Sequence, residues 1–165
     1  MAERKGSATW QGDLFEGGGA TSALSSGLFT DAPVTWASRT EEPGGKTSPE
    51  ELIAAAHAAC FCMALSNELS KRGHVPERLA VEAACTFQPG KGVTTMELEV
   101  TATVPGADEG QFREGLEAAE ESCPVPNALT RSVARRTGFH YSRRVQRACG
   151  CARSRAIGSA AVAQW

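Results

Sequence analysis

SPEELIAAAHAACFC, residues 48–62, is the stretch whose reading decides how this chain folds. Ser48 can cap a helix, Pro49 suits the first helical position where its missing N–H is no loss, and Glu51 stands three residues after the cap to close a capping box. Beyond that start, Leu52, Ile53, Ala54, Ala55, Ala56, Ala58, Ala59, Phe61, Met63, Ala64 and Leu65 form a run that is apolar nearly all round. Such a run predicts a helix covered on most faces. Cys60 lies inside it. Taken alone, a cysteine so placed is more often core filling than chemistry.

Working outward, the polar loop TEEPGGKT at 40–47 delivers the chain to the helix, with Pro43, Gly44 and Gly45 as breakers. Residues 6–40 divide into GSATWQGDLF, ATSALSSGLFT and PVTWA, separated by glycines, which predicts a small antiparallel meander. On the other side, Lys71 and Arg72 suit the last turn of the helix and Gly73 stops it. The period then changes to two. Leu79, Val81, Ala83, Cys85 and Phe87, then QPGKG, then Met96, Leu98, Val100, Ala102 and Val104 predict a hairpin with one buried and one wet face. Cys85 falls on the inner face, where packing is the ordinary role of a cysteine. A second helix follows with Asp108 as its cap, and Phe112, Leu116, Ala119 and Cys123 share one stripe. At CPVPNAL the chain restarts, with Cys123 at an N-cap position and Pro124 first in the new helix.

At 165 residues and 41% hydrophobic content the chain is expected to form one globular domain, and its predicted strands and helices put it in the α+β class. It has no uninterrupted apolar run of 18 residues and its first residues, MAERKGSATWQGD, lack the apolar core of a signal peptide, so a soluble, cytoplasmic protein with no membrane role is expected. Six cysteines in a chain of this length without an export signal predict mostly reduced thiols and, at most, transient disulfides. The net charge of -2 hides an asymmetry: residues 1–129 hold 9 Lys and Arg against 19 Asp and Glu, whereas residues 130–165 hold 8 Arg and no acid.

PEELIAAAHAACF, the upstream Arg39, and CPVPNAL together closely resemble the OsmC/Ohr family of thiol-dependent hydroperoxide reductases, and the first run resembles its OsmC branch most. The resemblance covers about residues 3–129. It implies an OsmC-like fold, in which small antiparallel sheets pack on two central helices in an intertwined homodimer. It also implies a two-cysteine peroxidase acting in oxidative and osmotic stress. Cys60 would be the peroxidatic thiol, Cys123 the resolving thiol, Arg39 the cation that keeps Cys60 as thiolate, and Glu50 the carboxylate that holds Arg39. Organic hydroperoxides, and hydrogen peroxide besides, would be the substrates. The reductant would be an external dithiol such as a lipoylated protein, with no bound cofactor and no metal. The chemistry calls for these types. A free thiol is mostly protonated at neutral pH, arginine stays charged and offers a planar fork, and a second thiol traps the sulfenic acid before further oxidation.

Spacing adds a constraint. Glu50 and Cys60 are ten residues apart on one helix, about 15 Å along its axis. One guanidinium cannot serve both within a single chain, so Arg39 and Glu50 of one copy are expected to meet Cys60 of another.

Other candidates are weaker. Cys62 turns to a different helix face from Cys60, His57 reads as a core histidine that could tune the Cys60 proton, and Glu41 and Glu42 read as a solvated loop. His74 and His140 lack partners at ligand spacing, and the CGC at Cys149–Cys151 lacks the second pair that zinc requires. Residues 130–165 depart from the family pattern. Only FHYSRRV, 139–145, could serve as a closing strand there, and the remainder has the composition of a disordered tail or of an out-of-frame reading of GC-rich DNA. A basic tail could also contact nucleic acid, although few aromatics are present to stack bases, and a sensor that oxidises Cys60 once without turnover is the competing reading.

Overall fold

The structure, a computed structural model, describes residues 1–129 and 134–141. The expected meander forms as β1 (Ser7–Gln11), β2 (Gly18–Ser22) and β3 (Ala32–Thr35), antiparallel in the order β1-β2-β3. The sequence reading ran the second strand to Thr30 and the third to Ala37, but the second ends at Ser22 and the third yields to a short helix, α1 (Trp36–Thr40). Thr35 and Ser38 cause that turn: each side chain accepts a hydrogen bond from the other's backbone N–H, a complete capping box.

The central helix α2 spans Pro49–Lys71 with Arg72 as its C-cap and Gly73 at φ 82° just beyond. Ser48 caps it by accepting from the Glu51 N–H, but the Glu51 carboxylate does not return to Ser48. It accepts from the Thr47 hydroxyl at 2.6 Å instead. By length and composition α2 could cross a bilayer. Here its Phe61, Leu65 and Leu69 are buried against the rest of the core, each contributing about 1.5–3 kcal/mol of transfer free energy.

The hairpin forms as β4 (Arg78–Gln88) and β5 (Gly92–Thr103), with Cys85 opposite Met96, Val81 opposite Val100, and a register shift between Thr86 and Phe87. Met96, Leu98, Val100, Ala102 and Val104 are all buried, as the alternation predicts. Helix α3 (Glu109–Ser122) opens on a full capping box between Asp108 and Gln111, and its Phe112, Leu116 and Ala119, with Cys123 after them, join the core that α2 and the hairpin share. Gly115 lets α3 approach closely: a Cβ there would stand 2.7 Å from Leu69 Cδ2.

Helix α4 (Pro124–Leu129) follows, and β6 (Ala134–Tyr141) then joins β5 in parallel, giving a second sheet in the order β4-β5-β6. The hairpin sheet is therefore mixed and not wholly antiparallel. The third strand lies within the segment the sequence assigned to the basic tail, and it starts five residues before FHYSRRV. Residues 142–165, with Cys149, Cys151 and most of the arginine-rich stretch, lie outside the described residues.

The two sheets are unequal in burial. Every residue of β1 is exposed and those of β2 are half-buried, while Leu14, Phe15, Leu24 and Leu28 near them face solvent.

Candidate active site

Cys60 lies half-buried in the middle of α2. Cys123 is fully buried at the junction of α3 and α4. Its N–H closes the last turn of α3 on Ala119 O, and because Pro124 follows, its backbone is extended rather than helical. That break points the Cys123 thiol at the Cys60 sulfur, 3.4 Å away. No disulfide joins them, and at van der Waals contact they need only a small side-chain rotation to reach bonding distance. His57, one turn before Cys60, is buried with its ring edge-on to Phe61.

The first turn of α2 carries a different cluster. Ser38 donates its hydroxyl to Thr47 O, and the Thr47 N–H donates to Pro33 O, so the loop between α1 and α2 closes on itself and sets Arg39 beside Glu50. Arg39 Nη2 and Nε donate to Glu50 Oε1 at 2.6 and 2.9 Å, and Nε also reaches Oε2 at 3.1 Å. The guanidinium carbon stands 3.9 Å from the Phe87 ring centroid and 5.8 Å from that of Trp36, which meets Phe87 and Phe15 edge-on. A carboxylate whose side chain is 8% exposed and an aromatic face thus fix the cation. Its Nη1 edge makes no hydrogen bond among the described residues.

Residues 42–137 match the family described as OsmC-like protein. The chain belongs to that family. It is 37% identical to peroxiredoxin OsmC of Escherichia coli over 133 residues, which cover 79% of this chain and 92% of that protein. It is 28% identical to an organic hydroperoxide resistance protein of Xanthomonas axonopodis pv. citri over 119 residues, 71% of this chain and 84% of the relative. Among solved structures, an organic hydroperoxide resistance protein OsmC of Legionella pneumophila superposes with a TM-score of 0.56 at 24% identity, covering 84% of this chain and 98% of the other. OhrB of Bacillus subtilis does so at 0.57 and 20%, covering 82% and 98%. These structures share the fold, and the peroxiredoxin relationship supports peroxide detoxification as the function of the family.

In this OsmC-like chain the four residues singled out in the sequence fall into two pairs. Cys60 contacts Cys123, and Arg39 contacts Glu50. The pairs sit at separate places on α2, about 15 Å apart along its axis. Cys62 turns away from Cys60 toward Val81 of β4, and burial pushes its thiol up from the ordinary range. It borders a shallow cleft of about 470 Å³ formed with Met63, Ser66 and the Pro76–Leu79 segment.

Cys85 does face inward, but at the ion-pair end of the fold. Its thiol is pushed up first by burial and then by the Glu50 charge, with Arg39 opposing. Sequence reasoning missed the aromatic bed under Arg39. Trp36, three residues before Arg39 on α1, was the available signal, whereas Phe87 arrives through tertiary packing alone. Glu41 and Glu42 are exposed and leave Arg39 to Glu50. Among the described residues no group of three His, Cys, Asp or Glu side chains is placed to hold a metal ion.

Proposed function

We propose that this OsmC-like chain is a thiol-dependent peroxidase that reduces organic hydroperoxides, and hydrogen peroxide more slowly, by a two-cysteine cycle. The observation that carries this reading is the 3.4 Å approach of the Cys60 and Cys123 sulfurs in a fold whose family detoxifies peroxides. The Cys60 thiolate attacks one peroxide oxygen, the O–O bond breaks, and the other oxygen leaves as alcohol once protonated. The resulting Cys60 sulfenic acid is attacked by the Cys123 thiol, forming a disulfide and releasing water. An external dithiol, such as a lipoylated protein, then reduces the disulfide by exchange. Cys60 packs against the hydrophobic core, and that apolar setting favours an organic substituent over a small polar peroxide.

The complete site lies between two copies of the chain. Arg39 holds Glu50 within its own chain, so its open Nη1 edge serves the Cys60 sulfur and the peroxide oxygen of the partner. Ala55, Ala56, Ala59 and Met63 form an exposed apolar stripe on α2, and the apolar residues beside β1–β3 lack cover, which supports a homodimer burying both. The reading places the protein in the cytoplasm, where thiols are kept reduced, as a defence in oxidative and osmotic stress.

Incubation with cumene hydroperoxide and dihydrolipoamide tests the cycle, with peroxide loss as the readout. Repeated turnover is expected, abolished in Cys60→Ser and reduced to slow, over-oxidation-prone turnover in Cys123→Ser. A single stoichiometric oxidation of the wild type would instead identify a sensor. Sedimentation across a dilution series tests the shared site, since activity should fall as the dimer dissociates.

A further inference from the structure

Three candidates stand outside the site just described: the shallow cleft beside Cys62, the Glu68 ion-pair cluster at the end of α2, and Cys85. The cleft holds a cysteine with nothing that points to a ligand. Glu68 is satisfied by Lys71 and Arg72. Cys85 is different because it shares a setting with charged groups assigned to the reaction.

Cys85 and Phe87 are alternate residues on the inner face of β4, about 7 Å apart along the strand. The Phe87 ring lies 3.9 Å from the Arg39 guanidinium carbon, and Arg39 is clamped by Glu50. Cys85 is half-buried, and the charges of both Glu50 and Arg39 act on its thiol. The cluster is thus a cation, a carboxylate, an aromatic face and a thiol.

We propose that Cys85 is a second resolving thiol, which captures the sulfenic acid of the partner's Cys60 and ties the two copies together by a disulfide. This rests on the peroxidase reading, because it is the partner's Cys60 that Arg39 serves. Cys85 stands two residues before Phe87, whose ring carries the Arg39 guanidinium, so a sulfur brought to that guanidinium arrives beside the Cys85 end of β4. Burial and the Glu50 charge keep Cys85 protonated, so it does not itself consume peroxide. When it attacks the sulfenic sulfur, the S–O bond breaks and the S–S bond forms. The hydroxyl leaves with the thiol proton as water, and no further oxidant is needed. Cys123, in contact with Cys60, wins while it is reduced, and Cys85 acts when Cys123 is oxidised or blocked.

The test uses the full chain carrying Cys123→Ser, treated with one equivalent of cumene hydroperoxide and then alkylated. Non-reducing electrophoresis with peptide mapping should show a covalent dimer joined through Cys60 and Cys85. That dimer should be lost in Cys123→Ser/Cys85→Ser and in Cys123→Ser/Cys85→Ala, where dimedone should label Cys60 instead. A Cys60 sulfenic acid that persists equally with and without Cys85 overturns this inference and leaves the peroxidase reading intact. A Cys60–Cys85 link within one chain, migrating as monomer, overturns the partner assignment. Absence of any dimedone-reactive or disulfide-linked Cys60 overturns both readings.

Discussion

At its first turn α2 presents Glu50 to a guanidinium pinned between a carboxylate and an aromatic ring, whereas about three turns further on it presents Cys60 to another sulfur across an apolar seam. The first arrangement is over-determined: three hydrogen bonds, a cation–π contact and a closed loop all fix Arg39. The second is held by packing, with Cys123 placed by a proline break and by the close approach of α3. The difference matches what the proposed cycle asks of each end: a cation that stabilises charge must not move, while sulfurs that alternate between thiol and disulfide must.

The largest expected effect comes from breaking the rigid end. Arg39→Ala leaves the Glu50 carboxylate buried and unpaired, a loss of about 3–5 kcal/mol in denaturant unfolding. It should also lower peroxide turnover by roughly a hundredfold. Arg39→Lys keeps the charge but not the fork and should fall between the two. Equal stability and activity in all three proteins would show that this end organises nothing.

At the thiol end, Gly115→Ala forces a methyl against Leu69 and should cost about 1–3 kcal/mol. Because the same approach carries Cys123 to Cys60, oxidative closure of that pair should slow as well, measured by loss of free thiol under limiting peroxide. Unchanged closure would detach the seam from the chemistry.

A smaller change, Ser48→Ala, removes the cap of α2 and should cost about 1 kcal/mol in thermal unfolding. It should lower turnover, through Arg39 and Glu50, more than it slows closure of the sulfur pair.

The smallest effect lies past both ends, at Glu68, whose carboxyl is held below its ordinary range by hydrogen bonds from Lys71 first and Arg72 second. A depressed folded pKa gives stability that is present above the ordinary glutamate value of 4.5 and is lost as pH falls through the folded value. The melting temperatures of the wild type and Glu68→Gln should therefore differ near neutrality and converge in acid. A difference that persists in acid would assign Glu68 a role other than its charge.

Much of this architecture was legible in the chain because local chemistry and tertiary packing agree. Ser48 and Pro49 start α2, Gly73 stops it, and the period-two run from Met96 to Val104 is buried as written. The stripe Phe112, Leu116, Ala119, Cys123 carried the second thiol to the first. Where local cues competed, the reading failed. Thr35 and Ser38 turn PVTWA into a helix start although its residues favour a strand, and Thr47 intercepts the Glu51 carboxylate. The β6 pairing was hidden because its partner lies across two helices and its own alternation is weak. Periodicity puts Phe87 on the inner face, but its contact with Arg39 joins separate elements far apart in the chain, which no local pattern announces.

The parallel pairing of β5 and β6 also sets an order of assembly. β4 and β5 close over a short turn and can pair early, but β6 must wait until the chain has crossed back through α3 and α4. Cys123 lies at the joint of that crossing. A refolding chain should therefore protect the hairpin amides from hydrogen exchange before it brings its two sulfurs together, and the Cys60–Cys123 contact is among the last things the molecule finishes.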